Sequence, residues 1–330
     1  GGLERDHRGE VVDRRAEVQS TDGSFVRRDT AFRNWITADG APGPSGDGGF
    51  KAESGRYHLY VSYACPWAHR TLIFRILKGL EDHVSVSVVH PLMYEMGWEL
   101  TDTYPGATGD PVLGKAAMYE VYLAADRKVT SSASVPVLWD KQQNTIVSNE
   151  SSEIIRMFNV AFDAITGNTA DYYPADLRSE IDAINDGVYN DVNNGVYKTG
   201  FAKSQEAYDL SVAALFAQLD SLEERLSGQR YLIGERITEA DWRLFPTLVR
   251  FDPVYVGHFK CNIRQLVAYP HLWAYTRELY QYPGIKETVN FDHIRSHYYG
   301  SHESVNPTRV VPAGPRIDFG EPHGRENVGS

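Results

Sequence analysis

The 330-residue chain predicts an α/β domain followed by an all-α half. Three observations carry that expectation. A strand–helix–strand pattern follows Arg56, in the manner of a βαβ unit. Two further short strands and a helix close this region by Phe162. From Asp163 onward, apolar residues recur only at helical spacing. The length suits two such parts, since roughly 150 residues make a domain.

Tyr57-His58-Leu59-Tyr60-Val61-Ser62-Tyr63 is aromatic and β-branched, so it predicts a strand. Pro66 then opens a helix whose apolar stripe is Leu72, Phe74 or Ile73, Ile76, Leu77 and Leu80, with Gly79 marking the end. HVSVSVVH (83–90) alternates apolar and polar residues, as a second strand does. A long connection with a short helical stretch, KAAMYEVYLAADRK, leads to Ser134-Val135-Pro136-Val137-Leu138-Trp139. Proline removes a ladder donor, so this strand is expected at a sheet edge or beside a special turn such as a cis peptide. Thr145-Ile146-Val147 supplies its partner, and the polar cluster 148–153 opens a helix striped by Ile154, Ile155, Met157, Phe158 and Phe162.

The helical half is expected over 176–198, 204–227, 238–250 and 264–281, with Leu215, Leu219, Leu222 and Leu226 forming one stripe. Thr238-Glu239-Ala240-Asp241 has the form of a capping box. The expected division is an N-terminal extension (1–55), the α/β domain (56–162), the all-α domain (163–299) and a polar tail over the surface (300–330). Within the extension, Phe25, Phe32 and Trp35 mark a stretch that packs against something.

Net charge is −11, which disfavours a nucleic-acid groove or an anionic membrane surface as partner. No apolar run approaches the roughly 18 residues that a membrane span needs. The chain opens GGLERD without Met, which leaves room for a removed leader carrying an organelle address. Two cysteines are too few for a disulfide-stapled secreted domain, so a reduced, cytoplasmic chain is expected. No Gly-rich phosphate loop follows a strand, and the eleven histidines are not read as a ligand set with carboxylates. Neither a nucleotide nor a metal is expected.

Cys65 is the candidate for chemistry. It follows a strand and precedes Pro66, which puts its thiol where helix N–H groups lack internal partners and the dipole is positive. A thiolate is favoured there, and His69 and Arg70 one turn on can add positive potential. Cys261 has no such setting and reads as buried filler. A dithiol oxidoreductase would carry a second cysteine three residues on, where this chain has Ala68. Cys65 therefore needs an external thiol, and glutathione is the obvious cytosolic one. An extended tripeptide could pair with backbone at Val135 by strand addition. Its carboxylate could meet Ser151 at a helix start while Glu150 holds its ammonium, although the same cluster is also an ordinary helix cap.

Longer motifs then carry a resemblance. Cys65-Pro66-Trp67-Ala68-His69-Arg70, Ser134-Val135-Pro136-Val137-Leu138-Trp139-Asp140 and the run from Ile146 to Phe158 resemble the glutathionyl-hydroquinone reductases, the Xi class of glutathione transferases. The stretches 193–198, 238–241, 250–262 and 291–294 add to it. The resemblance implies a thioredoxin-like domain followed by an all-α domain, and a homodimer. It implies that Cys65 takes glutathione from a glutathionyl-hydroquinone as a mixed disulfide, which a second glutathione resolves. By matching position, Trp98, Val135, Glu150 and Ser151 would hold glutathione, and Tyr197, Tyr255 and Tyr299 would face the aromatic part.

One departure stands out. The family pattern has an arginine ahead of Val-Pro that assists glutathione, and here Ser131-Ser132-Ala133-Ser134 puts Ser132 in its place. Weaker glutathione affinity or a shifted substrate range is expected, unless Arg127 or Lys128 compensates; the 104–130 insertion is also atypical. Competing readings keep the fold and the thiol but reduce dehydroascorbate or deglutathionylate proteins, or bind aromatic ligands without turnover.

Overall fold

The computed structural model describes residues 3–5, 11–13, 32–130 and 132–330; Phe25 and Ser131 lie outside the described residues. The chain forms two compact units. The first takes in strands β1 (Leu3–Arg5) and β2 (Val11–Asp13), which pair antiparallel, together with residues 32–171 and Thr288–Glu303. The second comprises Tyr172–Glu287 and Ser304–Ser330 among the described residues.

In the first unit, β3 (Tyr57–Val61), α1 (Pro66–Leu77) and β4 (Val84–Val88) form the expected crossover, and β3 pairs parallel with β4. After α2 (Met118–Ala125), β5 (Val137–Asp140) and β6 (Thr145–Ser148) complete a sheet in the order β4-β3-β5-β6, and α3 (Ser151–Val160) packs against α1. Every residue of β3 is buried, which explains why its sequence runs apolar and aromatic without alternating. Arg56 and Asp140, both buried, join the start of β3 to the end of β5 through two bonds of 2.9 and 2.8 Å. That fork satisfies both charges at once.

Of the two settings expected for the proline, the special turn holds and the sheet edge is corrected: antiparallel to both β3 and β6, β5 lies inside the sheet. The ladder tolerates Pro136 because β5 begins at Val137, so the missing N–H falls outside the hydrogen-bonded strand; the Val135–Pro136 bond is cis. The open side of β6 meets the segment before the sheet, where Asn34 N donates to Val147 O at 2.9 Å. Phe32 and Trp35 pack as their sequence suggests: Phe32 meets Tyr122 edge-on at 5.8 Å and Trp35 is buried.

The second unit contains α4 (Arg178–Val188), α5 (Gly195–Gly200), α6 (Gln205–Gly228), α7 (Glu239–Arg250) and α8 (Pro270–Tyr280), and no strand among its described residues. Leu215, Leu219, Leu222 and Leu226 are all buried on α6, each contributing on the order of 1.5–3 kcal/mol by leaving water. Thr238 and Asp241 close the capping box reciprocally at the start of α7. Wide π-helical turns at Tyr189–Asn193 and Phe251–Tyr255 interrupt the helices that carry the candidate tyrosines.

Two placements were not visible in the local pattern. Helix α9 (Phe291–Ser301) groups with the first unit although it follows the helical stretches in sequence. The tail is more than a surface strand of polar residues. Phe319 is buried between Trp273 and Tyr280, and the buried Arg325 guanidinium donates to Leu226, Gln229 and Arg230 carbonyls at 2.9–3.1 Å. Replacing Arg325 by Met leaves those carbonyls short of a donor, so stability to urea should fall by about 2–4 kcal/mol; a change under about 0.5 kcal/mol would show the tail to be a passenger.

Candidate active site

The backbone leaves β3 at Val61 and enters α1 at Pro66, so Cys65 becomes the helix cap. Its φ and ψ of −75° and 119° are extended, and its carbonyl accepts the first helical bond from His69 N at 3.0 Å. The side chain turns back over the helix mouth, where Ala68 N donates to Sγ at 3.5 Å. On the other side Sγ donates to the Val135 carbonyl at 3.5 Å. The N–H partner holds negative charge on sulfur, whereas the carbonyl partner holds the proton. No acidic residue stands in the first turn of α1. His69 is buried with Nε2 2.8 Å from Thr288 Oγ1, and Arg70 is buried with its guanidinium 4.9 Å from the Trp67 ring centre.

Glu150 caps α3, and its Oε1 accepts from Ser152 N at 3.2 Å and Ser152 Oγ at 2.9 Å. Ser151, buried, is the first residue of that helix. Cys65, Val135, Glu150, Ser151 and Trp98 thus all belong to one compact unit, with Cys65 and Val135 in direct contact. Trp98 is buried and stacks on His297 of α9, ring centres 4.6 Å apart. Tyr299, half-buried, stands on the same helix. Tyr197 and Tyr255 belong to the helical unit. Their rings lie 6.2 Å apart in a cluster with Phe201 and Phe259; Tyr255 is fully buried and Tyr197 half-buried.

Comparison with known proteins assigns the family. Residues 64–161 match the glutathione S-transferase N-terminal domain, and residues 205–278 match the C-terminal domain. The glutathionyl-hydroquinone reductase YqjG of Escherichia coli is 59% identical over 310 residues, covering 94% of each chain. The chain is a glutathione transferase of the Xi class. The glutathionyl-hydroquinone reductase PcpF of Sphingobium chlorophenolicum is 50% identical, covering 91% of this chain and 92% of its own. Among solved structures, glutathione-bound YqjG from E. coli superposes with a TM-score of 0.89 at 60% identity, covering 90% of this chain and 96% of its own. A Xi-class transferase from Natrialba magadii gives 0.90 at 49% identity, covering 98% and 96%. The thioredoxin-like domain followed by a helical domain is thereby established.

Within this Xi-class transferase the two cysteines differ as their sequence settings suggest. Cys65 is partly exposed, while Cys261 is fully buried, and burial pushes its thiol well above the usual range. Ser132 is half-exposed; Arg127 and Lys128 are exposed on the loop after α2. His293 and His297 stand at His-x3-His spacing. Their rings instead meet backbone: His293 Nε2 lies 2.7 Å from Pro105 O and His297 Nδ1 lies 2.9 Å from Pro91 O. Among the described residues, no three His, Cys, Asp or Glu side chains gather as metal ligands. No described helix is long and apolar enough to cross a membrane.

Local periodicity does not place α9 in the first unit beside Trp98. The available signal was the histidine and tyrosine density of FDHIRSHYYGSH (291–302), whose i, i+4 rings share one helix face. Exposure alone separates the thiols: iodoacetamide on the folded protein should label Cys65, and Cys261 only after denaturation, as read by peptide mass spectrometry. Labelling of Cys261 at a comparable rate in the folded state would contradict the burial.

Proposed function

We propose that this chain reduces S-glutathionyl-hydroquinones to hydroquinones with glutathione as co-substrate, and that Cys65 carries the reaction. The observation that supports it is the helix-capping thiol with Ala68 where a resolving cysteine would stand. Two close relatives carry the name of this activity.

In the first half-reaction the Cys65 thiolate attacks the glutathione sulfur of the substrate. An S–S bond forms and the carbon–sulfur bond to the ring breaks. The electron pair leaves with the ring carbon, which takes a proton, and hydroquinone departs. In the second, a glutathione thiolate attacks the glutathione sulfur of the mixed disulfide, releasing oxidised glutathione and the Cys65 thiolate. The ring is reduced by two electrons, and two glutathione sulfurs are oxidised to one disulfide.

Trp98, Val135, Glu150 and Ser151 are the proposed glutathione contacts: Val135 through its backbone, Ser151 and the α3 N–H groups toward a carboxylate, and Glu150 toward the ammonium. Tyr197, Tyr255 and Tyr299 are the proposed partners of the aromatic part, with hydroxyls that hydrogen-bond or protonate the quinol oxygen. The proposed division gives 56–162 the binding of glutathione and 163–299 the aromatic contacts and homodimerisation. A reducing compartment such as the cytoplasm suits a cycle that consumes glutathione.

Cys65→Ser should lower glutathionyl-menadione reduction by at least about a thousandfold. Surviving activity would remove Cys65 from the mechanism. Faster turnover of dehydroascorbate or a protein mixed disulfide than of glutathionyl-menadione would reassign the substrate class. Tight aromatic binding without turnover would favour a binder. Ser132→Arg should tighten glutathione binding by about tenfold, the size of one charge-assisted contact; unchanged affinity would show that this position is not where glutathione is held.

A further inference from the structure

We propose that His297 is a positioning residue for glutathione binding and that it acts through Trp98. The proposal rests on the reading of Trp98 as a glutathione contact. The segment 91–105, which carries Trp98, has no helix or strand of its own. Its shape comes from what it is fastened to. The Trp98 backbone is held by Met118 at the start of α2, whose N–H donates to Trp98 O at 2.9 Å. The indole ring is held from α9. His297 stacks on it at 4.6 Å with the planes 28° apart, and both side chains are buried.

The His297 ring is itself fixed. Nδ1 lies 2.9 Å from the Pro91 carbonyl, which only accepts, so Nδ1 carries the hydrogen and the ring cannot turn without losing that bond. Other bonds run along the same seam. Met93 N donates to Ser301 Oγ at 2.9 Å, Tyr104 OH to Asp292 Oδ2 at 2.6 Å, and His293 meets the Pro105 carbonyl. Leu92 packs against α9 at Gly300, where a Cβ would stand 2.7 Å from Leu92 Cδ2. The segment is therefore stapled to α9 at both ends, and the His297 ring sets the indole between the staples. A helix about 200 positions away in sequence thereby fixes the Trp98 ring, and it also bears Tyr299.

The test measures glutathione affinity by calorimetry in a Cys65→Ser background, where no mixed disulfide forms. His297→Gln keeps a polar group toward Pro91 but removes the ring, and should weaken binding by about three- to tenfold, the range of one aromatic pair. His297→Phe restores a stacking ring and should bind within about twofold of the parent. In a Trp98→Leu background, His297→Gln should add nothing, because the two act as one unit. A purely structural His297 would instead lower the melting temperature and carry its effect undiminished into that background, which would overturn the proposal. Equal weakening by Gln and Phe, or unchanged affinity with Gln, would overturn it too. If Trp98→Leu alone leaves affinity unchanged, the assignment of Trp98 fails and the proposal falls with it. Should Trp98→Leu not fold, the contrast between Gln and Phe at 297 decides alone.

Discussion

A helix that starts directly at a strand end leaves its first N–H groups facing outward, and some acceptor has to meet them. In this chain the acceptor is a sulfur. Val61 ends β3, Pro66 begins α1, and Cys65 between them is the cap, with Ala68 N–H aimed at Sγ. The same local requirement that starts the helix therefore places a thiol at a positive, partly exposed helix mouth. The surrounding unit is organised about that point. Val135 reaches the sulfur through its carbonyl because Pro136 ends the approach to β5 just outside the ladder. The next helix on the sheet, α3, opens with Glu150 and Ser151.

The glutathione side and the aromatic side of the proposed chemistry draw on different physics. Backbone groups, a helix N-terminus and one carboxylate suit a zwitterionic tripeptide, whose polar ends need directed partners. Tyr197, Tyr255, Phe201 and Phe259 suit a flat apolar ring with polar oxygens. The wide turns at 189–193 and 251–255 interrupt the helical path around these tyrosines. Tyr299 belongs to neither cluster in sequence and reaches the first unit on α9.

What was legible in the sequence is what local chemistry determines. Cys-Pro after a β-branched run, Ala68 in place of a second thiol, the Thr238–Asp241 cap and the leucine stripe of α6 each depend on neighbours within a few residues, and the structure has them. The glutathione contacts are proposed from the family resemblance. What escaped depends on partners far along the chain. The proline before β5 left an edge or a special turn open, and the pairing that decides for the turn is not local: β6 covers that side. Helix α9 has the same periodicity as the helices before it, and its bonds to Pro91, Met93, Tyr104 and Pro105 help set it beside Trp98. Arg325 looked like one charge in a polar tail, yet three carbonyls at the end of α6 draw it into the interior.

The central claim is that one thiol, without a resolving partner, carries the glutathionyl group between two glutathione molecules. Peptide mass spectrometry after a single turnover of glutathionyl-menadione, with no free glutathione added, tests it most directly. The account predicts a gain of about 305 Da on the peptide containing Cys65, one equivalent of menadiol released, and loss of the adduct when glutathione is supplied. Release of menadiol with Cys65 unmodified, or an adduct confined to Cys261, would contradict it.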